Sequence, residues 1–326
     1  MRQLFEYHPT IAYRFIPGLQ VRIPHEGGGY LIRTNSAGFR CNHEVTPAKT
    51  PGKRRVLLFG DSFTAGDGVS NNKRFGDLLE TLIPDLEVLN FGMSGTGTDQ
   101  HYLIWQEWAK GLEADGVIIS ALVENIRRVN SKSRPFKDDK GEDRIYAKPY
   151  FELEGGRPVL RGVPVPRDPL PPQEAEGVAQ SGRFPLLRKA ANKLGLRDIA
   201  QKVTGYQPLP EFDSPETPDW VLMRAVLLEW IKQIPQPVLL LPYPLSQYIE
   251  DTASGDNVIA RFREAARDAG CQMHDVLPDL HKYSMEDRRA FRFPVDVHPT
   301  PKGHEAVARS MAPAVERLLA SPRPRA

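Results

Sequence analysis

The stretch that most constrains this chain is Arg54-Arg-Val-Leu-Leu-Phe-Gly-Asp-Ser-Phe-Thr-Ala-Gly-Asp-Gly68. Val56 to Phe59 is an unbroken apolar run, the pattern of a short strand buried in a parallel sheet. Such a strand, ending in a glycine-rich turn, delivers the next polar side chain to the carboxyl rim, where open α/β folds keep their sites. The side chain delivered is Ser62, whose hydroxyl becomes a nucleophile when a base takes its proton. The same residues also read as a plain strand-to-helix turn with a capping Asp or Ser, so the rest of the chain has to decide.

Downstream, strands and helices alternate. Apolar residues at Phe75, Leu78, Leu79 and Leu82 predict a helix over 71–83, stopped by Pro84. Leu86 to Phe91 is a second strand, Thr98-Asp-Gln100 can cap a helix running to Gly111, and Val117 to Leu122 is a third strand. The pattern resumes with a helix from Trp220 to Ile234, a strand at Val238–Leu241, a helix from Asp256 to Ala269 ended by Gly270, a strand at Cys271–Val276 and a last helix from Pro301 to Leu319. Alternation of this kind gives βαβ units and a parallel sheet of about five strands. Residues 1–53, rich in turn formers, read as a β-rich leader packed on the main domain. Residues 131–218 are proline-dense and interrupt the core of 54–130 and 219–326. Within them, Tyr150 to Val165 reads as a hairpin turning at Gly155-Gly156, and 184–203 has helical spacing. So long an insertion is either a cap over the sheet's rim or a surface excursion.

Bulk properties exclude several classes. A formal charge of +2 over 326 residues leaves no electrostatic footprint for nucleic acid. No run of ~18 apolar residues predicts a membrane span, and the first residues lack the apolar core and cleavage site of a secretory signal, so a cytoplasmic location is expected. Cys41 and Cys271 form no motif and read as lone thiols.

A serine nucleophile needs a base, a group that orients the base, and donors for the oxyanion. Candidates fall in loops after the expected strands, on one rim. His298 precedes the last helix and is the candidate base, with Asp296 two residues earlier to hold its Nδ1 proton. The same loop also reads as a helix start, with Thr300 as cap and Pro301 in the first turn. His304 falls inside that helix and reads as structural or exposed, and a His298/His304 metal pair has neither the usual spacing nor a third ligand. Oxyanion donors are the Ser62 amide, Gly95 in the loop after the second strand, and Asn125 after the third. Gly92, Gly95 and Gly97 also read as a flexible turn, and Asn125 as a cap. Arg127 and Arg128 read as a solvated edge or as groups for an anionic part of a substrate.

Taken together these segments resemble the SGNH hydrolases, the branch of the GDSL esterases and lipases named for Ser, Gly, Asn and His. Gly-Asp-Ser comes after the first strand, Gly after the second, Asn after the third and Asp-x-His before the last helix, in that order. Thr34-Asn-Ser-Ala-Gly-Phe-Arg40 is similar to the segment ahead of the core in bacterial members. The resemblance implies a three-layer α/β/α sandwich with flavodoxin-like strand order 2-1-3-4-5. It also implies Ser62 as nucleophile, His298 as base, Asp296 as its partner, and Ser62, Gly95 and Asn125 as oxyanion donors. Two positions depart from the family pattern. The block usually Gly-Asn-Asp is Glu124-Asn125-Ile126, and the Asp most often three residues before the His is two before it, with Val295 in the usual place. The expected activity is hydrolysis of a short acyl ester of a sugar or other small polar metabolite, without a cofactor. Acyl transfer by the same triad and a binding protein with a degenerate site are the alternatives.

Overall fold

The computed structural model describes residues 3–137, 141–171 and 206–321. Two leader hairpins open the chain: β1 (Phe5–His8) with β2 (Ala12–Phe15), and β3 (Gln20–Ile23) with β4 (Tyr30–Arg33). The core strands β5 (Arg54–Gly60), β6 (Leu86–Asn90) and β7 (Gly116–Leu122) follow. Hairpins β8 (Ser133–Lys137) with β9 (Asp143–Ala147), and β10 (Tyr150–Glu154) with β11 (Arg157–Arg161), lie in the insertion. Strands β12 (Val238–Tyr243) and β13 (Gln272–Met273) complete the sheet.

The central sheet is parallel, ordered β6-β5-β7-β12-β13. In core-strand terms this is 2-1-3-4-5, the order expected. Its inner strands are buried except for Arg54 at the start of β5, which is why they carry runs such as Val-Leu-Leu-Phe rather than alternation. Helices Phe75–Leu82 and Pro301–Ala320 pack together on one face, and Thr98–Ile104, Pro218–Gln233 and Asp256–Ala269 cover the other. The Pro218–Gln233 helix turns Trp220, Met223, Val226, Leu227 and Trp230 inward, and Trp230 meets Phe59 of β5 edge-on at 5.4 Å.

Several boundaries differ from the sequence reading for local reasons. The helix expected from Asn71 starts at Phe75, because Asn72 sits at φ 73°, outside the helical region. The helix expected from Thr98 to Gly111 is α-helical only to Ile104 and widens into a π turn over Trp105–Ala109. Its cap is Gly97, whose N–H donates to the Gln100 side chain. The strand expected at Cys271–Val276 shrinks to Gln272–Met273. It is an edge strand paired only to Leu239–Leu240, and the Asp275 carboxylate already caps the following turn at the Leu277 N–H, 3.0 Å. The hairpin expected at 150–165 pairs over Tyr150–Arg161, with Glu154 opposite Arg157 across the two glycines. The helical spacing at 184–203 lies outside the described residues. No helix among the described residues is long and apolar enough to cross a membrane.

The segments before β5 and between β7 and the Pro218–Gln233 helix are tied, over their described residues, to each other and to the sheet's flanking elements. Tyr7 donates its hydroxyl to Val165 O (2.6 Å), and Val165 N donates to Pro9 O (2.7 Å). Lys148 reaches Asp99 at 2.5 Å in a buried pair at the start of the Thr98–Ile104 helix. Arg40, at the end of the Thr34–Arg40 motif, is fully buried and donates to Gly66 O and Val69 O, both at 2.8 Å. That motif thereby fixes the turn behind Ser62.

Candidate active site

Strand β5 ends at Gly60, where a Cβ would lie 2.0 Å from Thr64 Oγ1, so the turn closes too tightly for any side chain. Asp61 caps the next helical turn, its Oδ1 accepting from Phe63 N at 3.1 Å. The other carboxylate oxygen takes Arg128 Nη1 at 2.8 Å. Burial pushes the Asp61 pKa up, against the pull of Arg128. Ser62 follows at the rim, 5% exposed.

The loop before the last helix brings His298 to it. His298 Nε2 lies 2.8 Å from Ser62 Oγ, and its Nδ1 lies 2.5 Å from Asp296 Oδ1. That oxygen also accepts the His298 backbone N–H at 3.0 Å, a local turn in which an Asp two residues ahead reaches both the amide and the ring. The shorter spacing at the Asp position therefore still delivers the carboxylate to the imidazole. Burial works against a charged His298, but the hydrogen bond to Asp296 and the Asp67, Asp296 and Asp61 carboxylates outweigh it and raise its pKa. Burial alone would raise the pKa of Asp296; the hydrogen bond and charge of His298 and the contact with His25 hold it well below the usual carboxylate range.

The leader adds residues that carry no local sequence signal. His25 Nε2 sits 3.1 Å from Asp296 Oδ2, and Glu26 accepts the Asp296 N–H at 2.6 Å. Phe293 packs between Gly27 and Gly68, where a Cβ would fall 2.6 and 2.7 Å from its ring. The β3–β4 turn thus braces the loop that carries His298.

Gly95 lies at φ 76° in a loop whose carbonyls are taken one after another. Met93 O accepts from Thr96 Oγ1 (2.7 Å), Ser94 O from Tyr13 OH (2.8 Å), Gly95 O from Arg134 Nη1 (2.8 Å) and Thr96 O from Arg128 Nη1 (3.0 Å). The Ser94 hydroxyl donates to Asp67 at 2.7 Å. By contrast, the Gly95 and Ser62 amides donate to no acceptor among the described residues. Asn125 is fully buried and neither atom of its side-chain amide has a partner among the described residues. Buried polar groups are rarely left this way. Three orphan donors on one rim, with their loop held by its carbonyls, suit an oxygen that gains negative charge during reaction.

The other marked residues have protein partners. Arg128 joins Asp61 to Thr96, while Arg127 pairs with Glu211 at 2.5 Å and donates to Pro208 O at 2.9 Å. His304 is fully buried, accepts Phe75 N–H at Nδ1 (3.2 Å), and is held neutral by burial, its pKa pulled down to about 3. Cys41 and Cys271 are free thiols, the first buried and the second half-buried.

A parallel α/β/α sandwich of this strand order, with Gly-Asp-Ser at the end of its first strand, is the SGNH hydrolase fold. The sequence matches the model of the GDSL-like lipase/acylhydrolase family over residues 58–306, and the chain belongs to that family of carboxylic ester hydrolases. No curated protein sequence matches it significantly. Among solved structures it is similar to a lipolytic protein of the G-D-S-L family from Veillonella parvula (13% identity, 81% of this chain and 100% of that one, TM-score 0.44). It is also similar to a lipase/acylhydrolase from Enterococcus faecalis (13%, 84% and 100%, TM-score 0.43) and to the psychrotrophic esterase EstA from Pseudoalteromonas (11%, 82% and 100%, TM-score 0.42).

Proposed function

We propose that this chain hydrolyses a short-chain carboxylic ester through an acyl-enzyme on Ser62. His298 takes the Ser62 proton as the hydroxyl attacks the ester carbonyl, and Asp296 holds the imidazole and stabilises its charged form. The Ser62 and Gly95 amides and the Asn125 side chain receive the oxyanion. His298 then gives its proton to the leaving alcohol and activates a water that releases the acid. The observation that carries this reading is the unbroken contact from Ser62 Oγ through His298 to Asp296, at 2.8 and 2.5 Å. The same contact favours a working centre over a degenerate one.

The same reading assigns a small acyl group to the cavity of about 20 Å³ beside Phe63, Tyr243, Val297 and Pro299, which is lined by the sequence neighbours of Ser62 and His298 and by neither of the two. That volume is on the order of one or two water positions, room for an acetyl methyl and little more. The same reading takes residues 1–53 as a leader that completes the site, 54–130 and 219–326 as the core, and 131–218 as an insertion beside the rim. Release of acetate from aryl acetates, falling off steeply with acyl length and abolished in Ser62→Ala, is the expected result. Transfer of the acyl group to added sugars in excess of free acetate would replace hydrolysis with acyl transfer.

A further inference from the structure

A second cavity, of about 420 Å³, lies between the β1–β2 and β8–β9 hairpins and is walled by Phe5, Tyr13, Phe136, Tyr146, Arg134 and Arg167. Its size falls in the range of small-ligand sites, about 300–1,000 Å³. Two of its walls hold the candidate oxyanion loop, Tyr13 at Ser94 O and Arg134 at Gly95 O, so the cavity adjoins the proposed reaction centre.

Arg134 is the unusual group in it. Its guanidinium lies over the rings of Tyr13 (4.6 Å) and Phe136 (5.5 Å), which fixes the plane of the fork. Nη1 is committed to Gly95 O, and among the described residues Nε, a buried atom, has no partner and no hydrogen bond occupies Nη2. No carboxylate among the described residues pairs with it, and burial pulls its pKa down to about 10 with no offsetting charge. A half-buried cation without a counter-ion is still costly to hold. Arg167, exposed at the mouth over the Tyr7 ring (5.6 Å), also makes no ion pair among the described residues. Glu6, the one carboxylate of the lining, is already paired with Arg14 at 2.8 Å. The Tyr7 hydroxyl is spent on Val165 O. What is left over is a positive fork between flat apolar faces.

We infer that this cavity binds a ring that carries a carboxylate, the carboxylate on Arg134 and the ring against Tyr13 and Phe136, as part of the substrate of the neighbouring centre. An acidic sugar and an aromatic acid share that chemistry. The assignment to substrate rests on the esterase reading; the binding itself does not.

The test is calorimetric titration of full-length Ser62→Ala, which cannot turn over, with D-glucuronate, benzoate and the neutral analogue D-glucose. Binding of glucuronate or benzoate identifies the source of the ring. D-glucose should bind at least tenfold more weakly than the carboxylate that binds, and adding Arg134→Gln should weaken that carboxylate at least tenfold. If Arg134→Gln does not fold, Arg167→Gln on the exposed rim decides, with a twofold or greater loss expected. No binding of either carboxylate, glucose binding as tightly as the carboxylate that binds, or binding untouched by the decisive variant overturns the inference. Turnover of 4-nitrophenyl acetate by wild type is scored separately. Activity without carboxylate binding removes this subsite and leaves the esterase, and binding without activity does the reverse.

Discussion

Tyr13 donates its hydroxyl to the carbonyl oxygen of Ser94 at 2.8 Å, and that carbonyl belongs to the same peptide unit as the Gly95 N–H. The bond fixes the plane of the peptide, and accepting at the oxygen polarises the N–H at the other end. A residue of the leader therefore orients a candidate oxyanion donor of the core.

Tyr13→Phe keeps the ring and removes the bond. With one neutral hydrogen bond worth about 0.5–1.5 kcal/mol in place, kcat for an aryl acetate should fall about 2–13-fold. KM should stay within about twofold, because the lost interaction serves the transition state. A change confined to KM would assign Tyr13 to binding instead.

Asn125 leads to a pairing of opposite effects. Its side-chain amide is buried and unpartnered, so Asn125→Ala removes an uncompensated polar group and should leave Tm unchanged or higher. If the same amide receives the oxyanion, kcat drops about 10²–10³-fold. Steady-state kinetics and a thermal melt on one preparation read both; a melt that falls together with kcat would point to a structural role.

The pH dependence follows from the sign of the His298 shift. Burial lowers its pKa, but the Asp296 hydrogen bond and nearby carboxylates raise it further, so the net shift is upward from 6.5. Attack needs the neutral ring, so kcat/KM for a non-ionising ester should rise with pH through a midpoint above 6.5. Asp296→Asn removes a charge that favours imidazolium. The midpoint should move down, and the plateau should fall on the order of 10³–10⁴-fold as the ring loses its tautomer. A midpoint that moves up would contradict the assignment. The linked stability runs the opposite way with pH. A folded pKa above the unfolded value means that His298 stabilises fully below about pH 6.5, and this is lost as pH rises through the folded value.

Gly92 sets a packing limit. A Cβ there would sit 2.5 Å from Ala65 N and 2.8 Å from Thr64 C, both backbone atoms of the turn that carries Ser62. Gly92→Ala should destabilise by about 1–3 kcal/mol in denaturant unfolding, since neither chain can give way cheaply. An unchanged midpoint would mean that the two turns are not in contact.

What the sequence reveals and what it hides divide along a physical line. Asp256–Ala269 is legible to the residue, because its apolar period and Gly270, at φ 64°, are both local signals. Strand β5 and its Gly-Asp-Ser turn are legible for the same reason, and so is the Asp-x-His loop. Strand β13 is overestimated, since an edge strand ends where its pairing ends, which no run of residues records. Tyr13, His25 and Arg134 are invisible in the sequence as neighbours of the candidate site. Each reaches it by long-range contact, from hairpins that show only turn-rich composition. Arg128 reads as part of a solvated edge or as a group for an anionic part of a substrate, yet its partner Asp61 lies 67 positions away and fully buried. Charge partners of that separation exist only once the sheet has formed.

The central claim is that Ser62 is made nucleophilic by His298. A fluorophosphonate probe with mass-spectrometric mapping tests it most directly, because it reports the activated hydroxyl whatever the natural ester. The account predicts one equivalent of label on Ser62 of the wild-type chain, none on Ser62→Ala, and labelling of folded His298→Ala slowed on the order of 10³-fold or more. A folded wild type that stays unlabelled, or a His298→Ala variant labelled at the wild-type rate, would contradict it.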